Sequence, residues 1–266
     1  MDPHPPTRTQ VEELAAAALA GNDAASQSLE KLFSASIQFG TAGMRGAMEA
    51  GSAGLNYVTA LQMAQGTCSM LLTEAASKQL TAADLSVVVG FDHRSNASNG
   101  INSKSIATVI SSAFLSRGVR VHLFADFCHT PLVPFTVQAL AASAGIMVTA
   151  SHNPKLDNGI KVYVHFHLCI FGDCNSAPSY NALGCQSSSL ECERIQQHIK
   201  QNAQPWPGAE YSTFDSVLMR HAALLPPQPL LSDMQQRYID AMRRTLSRYD
   251  AAVNARSGVA IVCVRT

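Results

Sequence analysis

Ser151 stands ten residues before Lys161 with His152 directly beside it, and these three side chain types can do chemistry together. A serine hydroxyl is a poor nucleophile unless a neighbouring base or positive charge assists it. Once phosphorylated it would carry roughly two negative charges at neutral pH and would need cations around it. His152, Lys155 and Lys161 are the local supply.

The surrounding residues predict how these groups are presented. Ile146, Met147 and Val148 follow a glycine as a short apolar run, the pattern of a buried strand over Gly145 to Ala150. Ser151-His152-Asn153-Pro154 ends that run in a turn, because the residue before a proline is pushed away from helical geometry. Asp157-Asn158-Gly159 predicts a second turn, and Ile160 to Val164 a strand leaving it. The serine therefore falls on a tight loop at the carboxyl end of a strand, where open α/β sheets bind their ligands. Spacing alone leaves an equal alternative, a polar hairpin whose Asn, Asp and Gly serve only turn geometry.

Two upstream segments have the same character. Phe39-Gly40-Thr41-Ala42-Gly43-Met44-Arg45-Gly46 places three glycines in eight residues beside an arginine. Glycine lets a backbone approach a ligand closely, and arginine can grip phosphate with two parallel N–H donors. Leu85 to Phe91 predicts a buried strand that ends in Asp92-His93-Arg94-Ser95-Asn96, another polar loop at a strand end.

Thr149-Ala150-Ser151-His152-Asn153-Pro154-Lys155, followed by Asp157-Asn158-Gly159-Ile160-Lys161-Val162-Tyr163, closely resembles the phosphoserine loop of the α-D-phosphohexomutases. Its Lys-x-Asp-Asn-Gly-x-Lys-Val-Tyr form looks most like the phosphoglucomutase/phosphopentomutase branch. Phe39 to Gly46 resembles the Phe-Gly-Thr-x-Gly-x-Arg loop of that family, and Gly90 to Arg94 its Gly-x-Asp-x-Arg segment. The resemblance implies that Ser151 carries the transferred phosphoryl group and that Lys161 assists proton transfer. It further implies that Arg45 and His152 hold phosphate oxygens, and that Arg94 belongs to the phosphate-binding set or braces its loops. It implies a magnesium ion contacting the phosphoryl group on Ser151, a sugar bisphosphate activator, glucose 1-phosphate and ribose 1-phosphate as substrates, and a monomer. The family's Asp-x-Asp-x-Asp metal loop has no counterpart here. No Asp-x-Asp pair follows Ser151, and Glu191-Cys192-Glu193 is the nearest substitute.

Composition narrows the class. A chain of 266 residues that is 47% hydrophobic and 14% charged can bury a sizeable core. Nineteen basic and nineteen acidic residues cancel, which argues against a nucleic-acid or membrane-surface binder. No run approaches the ~20 apolar residues of a membrane span. Met1 to Pro6 has neither the basic end nor the apolar core of a signal peptide, so a cytoplasmic protein is expected. Cys169, Cys174, Cys185 and Cys192 crowd one stretch behind His165 and His167, yet their spacings do not fit a common zinc site.

Strands and helices alternate from about Ser86 to Ala150, which predicts an α/β class domain, a three-layer α/β/α arrangement on a mostly parallel mixed sheet. Helices are expected at Val11 to Gly21, Asn56 to Ala76, Ile101 to Arg117 and Leu132 to Ala142, with a further strand at Val119 to Phe124. The expected organisation is a helical extension over 1–38, the α/β/α domain over 39–163 and an atypical, disordered insertion over 164–190. The rest of that domain and a linker then occupy 191–231, and the start of a truncated second domain 232–266. In that last region a helix capped by Ser232 is expected over Asp233 to Tyr249, and a strand over Gly258 to Val264. Loss of the metal loop and later domains leaves a second expectation, that the chain is a non-catalytic fragment of such an enzyme.

Overall fold

The computed structural model describes residues 2, 4–40, 43–164, 187–207, 216, 219–225, 230–246 and 256. Five strands form one mixed sheet: β1 (Met44–Ala47), β2 (Ser86–Phe91), β3 (Arg120–Leu123), β4 (Ala144–Val148) and β5 (Asp157–Val164), in the order β1-β5-β4-β2-β3. The β4-β2-β3 pairs are parallel, and β5 is antiparallel to both β4 and β1. The helices among the described residues are α1 (Pro5–Leu19), α2 (Asp23–Phe33), α3 (Tyr57–Ser77), α4 (Ser103–Leu115), α5 (Leu132–Leu140), α6 (Ser189–Gln201) and α7 (Leu230–Leu246).

Alternation along the strands builds three layers. Val87, Val89, Phe91, Ile146, Val148, Ile160 and Val162 point into one core with α3, α4 and α6. Val88, Met147 and Tyr163 point the other way, into a second core with α5 and Met234 of α7. The chain is thus an α/β/α sandwich, as its alternating elements predict. The loops after β2, β3 and β4 all emerge at the carboxyl edge of the parallel part of the sheet.

Local chemistry sets the ends of these elements. Asn56 caps α3, its side chain accepting from the amides of Val58 and Thr59 while Thr59 Oγ1 accepts from the Asn56 amide. Gly118, at φ +77°, terminates the turn after α4. α1 begins earlier than its alanine run suggests, because Pro5 and Pro6 occupy the first helical positions, where no N–H is needed. α2 follows it with Asn22 as cap, a helix the sequence reading passes over.

Two local readings are corrected. Asp157-Asn158-Gly159 does not turn but forms the first part of β5. Gly46 and Ala47 pair with Asn158 and Asp157, while Asn158 is fully buried. Pairing and burial outweigh the turn preference of the triplet, and the turn lies earlier, at 150–157, where the Asn153 amide bonds the Ala150 carbonyl and the Asp157 amide the Pro154 carbonyl. Ser232 does not cap α7, which already begins at Leu230. Of the insertion expected over 164–190, Val164 belongs to β5 and Ser187 to Leu190 lead into and begin α6, while 165–186 and the strand expected at Gly258 to Val264 lie outside the described residues.

The sheet is locked from the α6 side. Ser187 bonds the Val162 carbonyl through both its amide and its hydroxyl, which delivers the chain into α6 beside β5. Gln196 of α6 accepts from the Phe39 amide and so fixes the approach to β1. Arg194 pairs with buried Glu74 of α3 at 2.7 Å. Gly66 lets the two helix backbones meet, since a β-carbon there would lie 2.7 Å from the Ile199 nitrogen and 2.8 Å from its α-carbon. Alanine normally gains about 1 kcal/mol over glycine inside a helix. At Gly66 it must displace backbone rather than a flexible side chain, and overpacking costs about 1–3 kcal/mol. Gly66→Ala is therefore expected to lower stability in urea denaturation by up to about 2 kcal/mol; a stabilised variant would mean that α6 yields freely.

Candidate functional site

β4 ends at Val148, and the Thr149 amide adds one more bond, at 2.8 Å, to the Gly159 carbonyl of β5. Gly159 has no room for a side chain, because a β-carbon would sit 2.7 Å from the Thr149 oxygen and 2.9 Å from the Met44 oxygen. The chain then bends, and Ser151 takes φ +59°, in the left-handed region. A residue with a β-carbon pays about 1–2 kcal/mol for that conformation, which persists only where the surroundings over-determine it. Thr149 supplies part of the determination, its hydroxyl accepting from the Ser151 amide at 3.0 Å. The Ser151 hydroxyl is exposed and stands 3.4 Å from His152 Nδ1.

Arg94 supplies the rest. Its Nη1 donates to the carbonyls of Pro154 at 2.7 Å and Asp157 at 2.9 Å, and its Nη2 to those of Ser151 at 2.8 Å and Asn153 at 3.1 Å. Nε faces Asp92 Oδ2 at 3.3 Å, and the Arg94 amide donates to Asp92 Oδ1. The rigid planar fork of arginine allows one side chain to gather four carbonyls of a single loop. The side chain is only 12% exposed, and all of its nitrogens have partners, so the loop backbone is what it holds.

Arg45 and Lys161 meet on the other flank of β4. Arg45 pairs across β1–β5 with Gly159, so Lys161 is its diagonal neighbour on the same face of the sheet. Arg45 Nε is buried with no hydrogen-bond partner, and neither cation forms an ion pair with a described carboxylate. Burial, and then the charge of Arg45, push the Lys161 ammonium below its usual range. Two adjoining cations with an orphaned guanidinium nitrogen are chemically suited to an anion.

The donor set for a metal is poorer. Asp92 and Asp157 flank the loop, but Asp92 is committed to Arg94 and Ser103, and Asp157 accepts from Asn153 Nδ2 at 3.2 Å. Among the described residues no three His, Cys, Asp or Glu side chains group as metal ligands. Glu191 closes a capping box with Ser188 at the start of α6, and Cys192 is buried, so that pair does not replace an aspartate loop. His165, His167, Cys169, Cys174 and Cys185 lie outside the described residues.

The structure brings Arg94 to the Ser151 loop and Arg45 to Lys161, and leaves His152 exposed beside the serine. Sequence reading missed Thr149 and the dependence on Asp92. Their signals are a hydroxyl two residues before Ser151 and an acid two residues before Arg94. Arg94→Lys keeps a charge opposite Asp92 but cannot span four carbonyls. It should cost about 2–3 kcal/mol, because bonds from charged donors are worth about 1.5–3 kcal/mol each. Amide hydrogen exchange over residues 151–157 should accelerate with it. Unchanged exchange there would show that the loop stands without the fork.

Comparison with known proteins places the chain in a family. The family model described as phosphoglucomutase/phosphomannomutase, alpha/beta/alpha domain I, matches residues 36–169. A phosphopentomutase of Mus musculus is 38% identical over 221 residues, covering 83% of this chain and 31% of that protein. A phosphoribomutase of Saccharomyces cerevisiae is 39% identical over 193 residues, or 71% of this chain and 26% of that protein. A glucose 1,6-bisphosphate synthase of Homo sapiens is 30% identical over 243 residues, or 91% and 34%. The chain spans about a quarter to a third of the length of these relatives. With the matched region, these relatives and the α/β/α sandwich in agreement, this chain belongs to the phosphoglucomutase/phosphomannomutase family.

Proposed function

We propose that Ser151 is a phosphoryl carrier in a sugar-phosphate mutase, exchanging phosphate with glucose 1-phosphate or ribose 1-phosphate through a bisphosphate intermediate. The observation that carries this reading is the combination at one strand end. An exposed serine is held in left-handed geometry by Arg94, and on the adjoining strands β1 and β5 Arg45 and Lys161 lie together without a carboxylate partner among the described residues. The names of the relatives, phosphopentomutase, phosphoribomutase and glucose 1,6-bisphosphate synthase, support sugar phosphates as the ligand class.

In the forward step a sugar hydroxyl attacks the phosphorus on Ser151. The bond from phosphorus to the serine oxygen breaks as the bond to the sugar oxygen forms. Lys161 gives its proton to the leaving serine oxygen and recovers one from the attacking hydroxyl, so the cycle balances. A lysine with a lowered pKa suits that exchange, since proton transfer works best when the pKa lies near the working pH. Arg45 and His152 steady phosphate oxygens, and Arg94 acts by holding the loop. Magnesium would neutralise charge on the phosphoryl group when bound. Its oxygen ligands are not supplied by the described residues.

Intact mass after incubation with glucose 1,6-bisphosphate tests the reading. One phosphate should be gained, map to Ser151 and be missing in Ser151→Ala; no gain, or a gain elsewhere, refutes it. A second consequence concerns pH. A phosphate dianion favours protonated Lys161, so affinity should fall as pH rises through the depressed lysine pKa, which lies below the ordinary 10.5. Titration of inorganic phosphate followed by phosphorus NMR should show that alkaline loss in the unmodified chain and not in Lys161→Met. The same alkaline loss in both would remove Lys161 from the anion site.

A further inference from the structure

Ser103 is the first residue of α4, and its side chain is fully buried. Its own helix does not need that hydroxyl. Asn102 is the cap, accepting from the Ser105 amide at 2.9 Å. The hydroxyl instead donates to Asp92 Oδ1 at 2.6 Å and accepts from Asn158 Nδ2 at 2.9 Å. These directions are forced: an amide nitrogen can only donate and an ionised carboxylate can only accept, so the hydroxyl proton must point at Asp92. The bond to the carboxylate is short, as a charge-assisted bond is.

The contacts close into a ring. Asp92 holds Arg94, Arg94 holds the Asp157 carbonyl, Asp157 precedes Asn158, and Asn158 returns to Ser103. The Ser103 amide also donates to the Arg94 carbonyl at 2.9 Å, so α4 touches the clamp twice. Asn158 has no slack, its oxygen accepting from the Gly159 amide at 2.8 Å and its nitrogen lying 3.6 Å from Met48 Sδ. Every member of the ring bears on the segment that carries Ser151, from its start at the Ser151 carbonyl to its end at Asn158.

We infer that the Ser103 hydroxyl is a positioning group for the Ser151 loop, acting through Asp92 and Arg94 on one side and Asn158 on the other. It touches no reacting atom. Removing it leaves the amide of Asn158 and one oxygen of Asp92 each short of a partner inside the protein. Asp92 Oδ1 then keeps only the Arg94 amide, and the carboxylate aligns the guanidinium less firmly. A displacement of about 1 Å in a reacting group can cost on the order of a hundredfold in rate.

The test uses the chain with Ser103→Ala, and the isosteric pair Ser103→Thr and Ser103→Val, which differ only by hydroxyl against methyl. Two quantities are read: hydrogen exchange over residues 151–157 by mass spectrometry, and the rate at which glucose 1,6-bisphosphate phosphorylates Ser151. The expected result is faster loop exchange in the Ala and Val variants, with α3 unchanged, and phosphorylation slower by about tenfold or more. Ser103→Thr should stay near the unmodified chain on both. Equal behaviour of Thr and Val overturns the inference, as does exchange that rises alike in α3 and the loop. The rate readout rests on the proposed carrier role of Ser151; if the unmodified chain gains no phosphate, that role fails, while the exchange readout still decides the role of Ser103.

Discussion

A strand hydrogen-bonded on both edges cannot slide by one residue without turning every side chain to the opposite face. β5 is held in this way, by β4 on one edge and β1 on the other, and the site depends on its register. Ile160 and Val162 must face the α3–α4–α6 core, which obliges Lys161 and Tyr163 to face away from it. The same register sets Arg45 opposite Gly159 and brings its guanidinium to Lys161. Hydrophobic alternation thus decides where two charges lie.

Those charges are held under mutual repulsion. A lone exposed lysine beside an arginine would swing into water, but Lys161 is partly buried and Arg45 Nε is enclosed. The sheet therefore maintains an electrostatic imbalance that an anion would relieve. Such preorganisation matters for phosphate chemistry, where stabilising charge on the transferring group provides most of what a protein can contribute.

Much of this was legible in the residues. The capped helix after Asn56, the apolar run ending at Phe91 and the glycine stop at Gly118 each encode their element locally, and the structure follows them. Asp157-Asn158-Gly159 misled because turn preference is also local, whereas its pairing partner lies at Gly46 and Ala47, more than a hundred residues earlier. The link between Arg94 and its carbonyl partners spans 57 to 63 residues and goes to backbone atoms, which leave no trace in side-chain types. Ser103 was equally silent, being one serine among many until the fold sets it between Asp92 and Asn158.

Because Arg94 grips carbonyls, which every residue has, its hold on the loop does not depend on the exposed side chains the loop displays. His152, Lys155 and Leu156 are exposed and take no part in that grip. Placement and chemistry are thereby uncoupled: one guanidinium fixes where the serine stands, and the displayed residues can be exchanged around it without rebuilding the frame. A scaffold of this kind lets the displayed residues drift in evolution while the serine oxygen stays where it is.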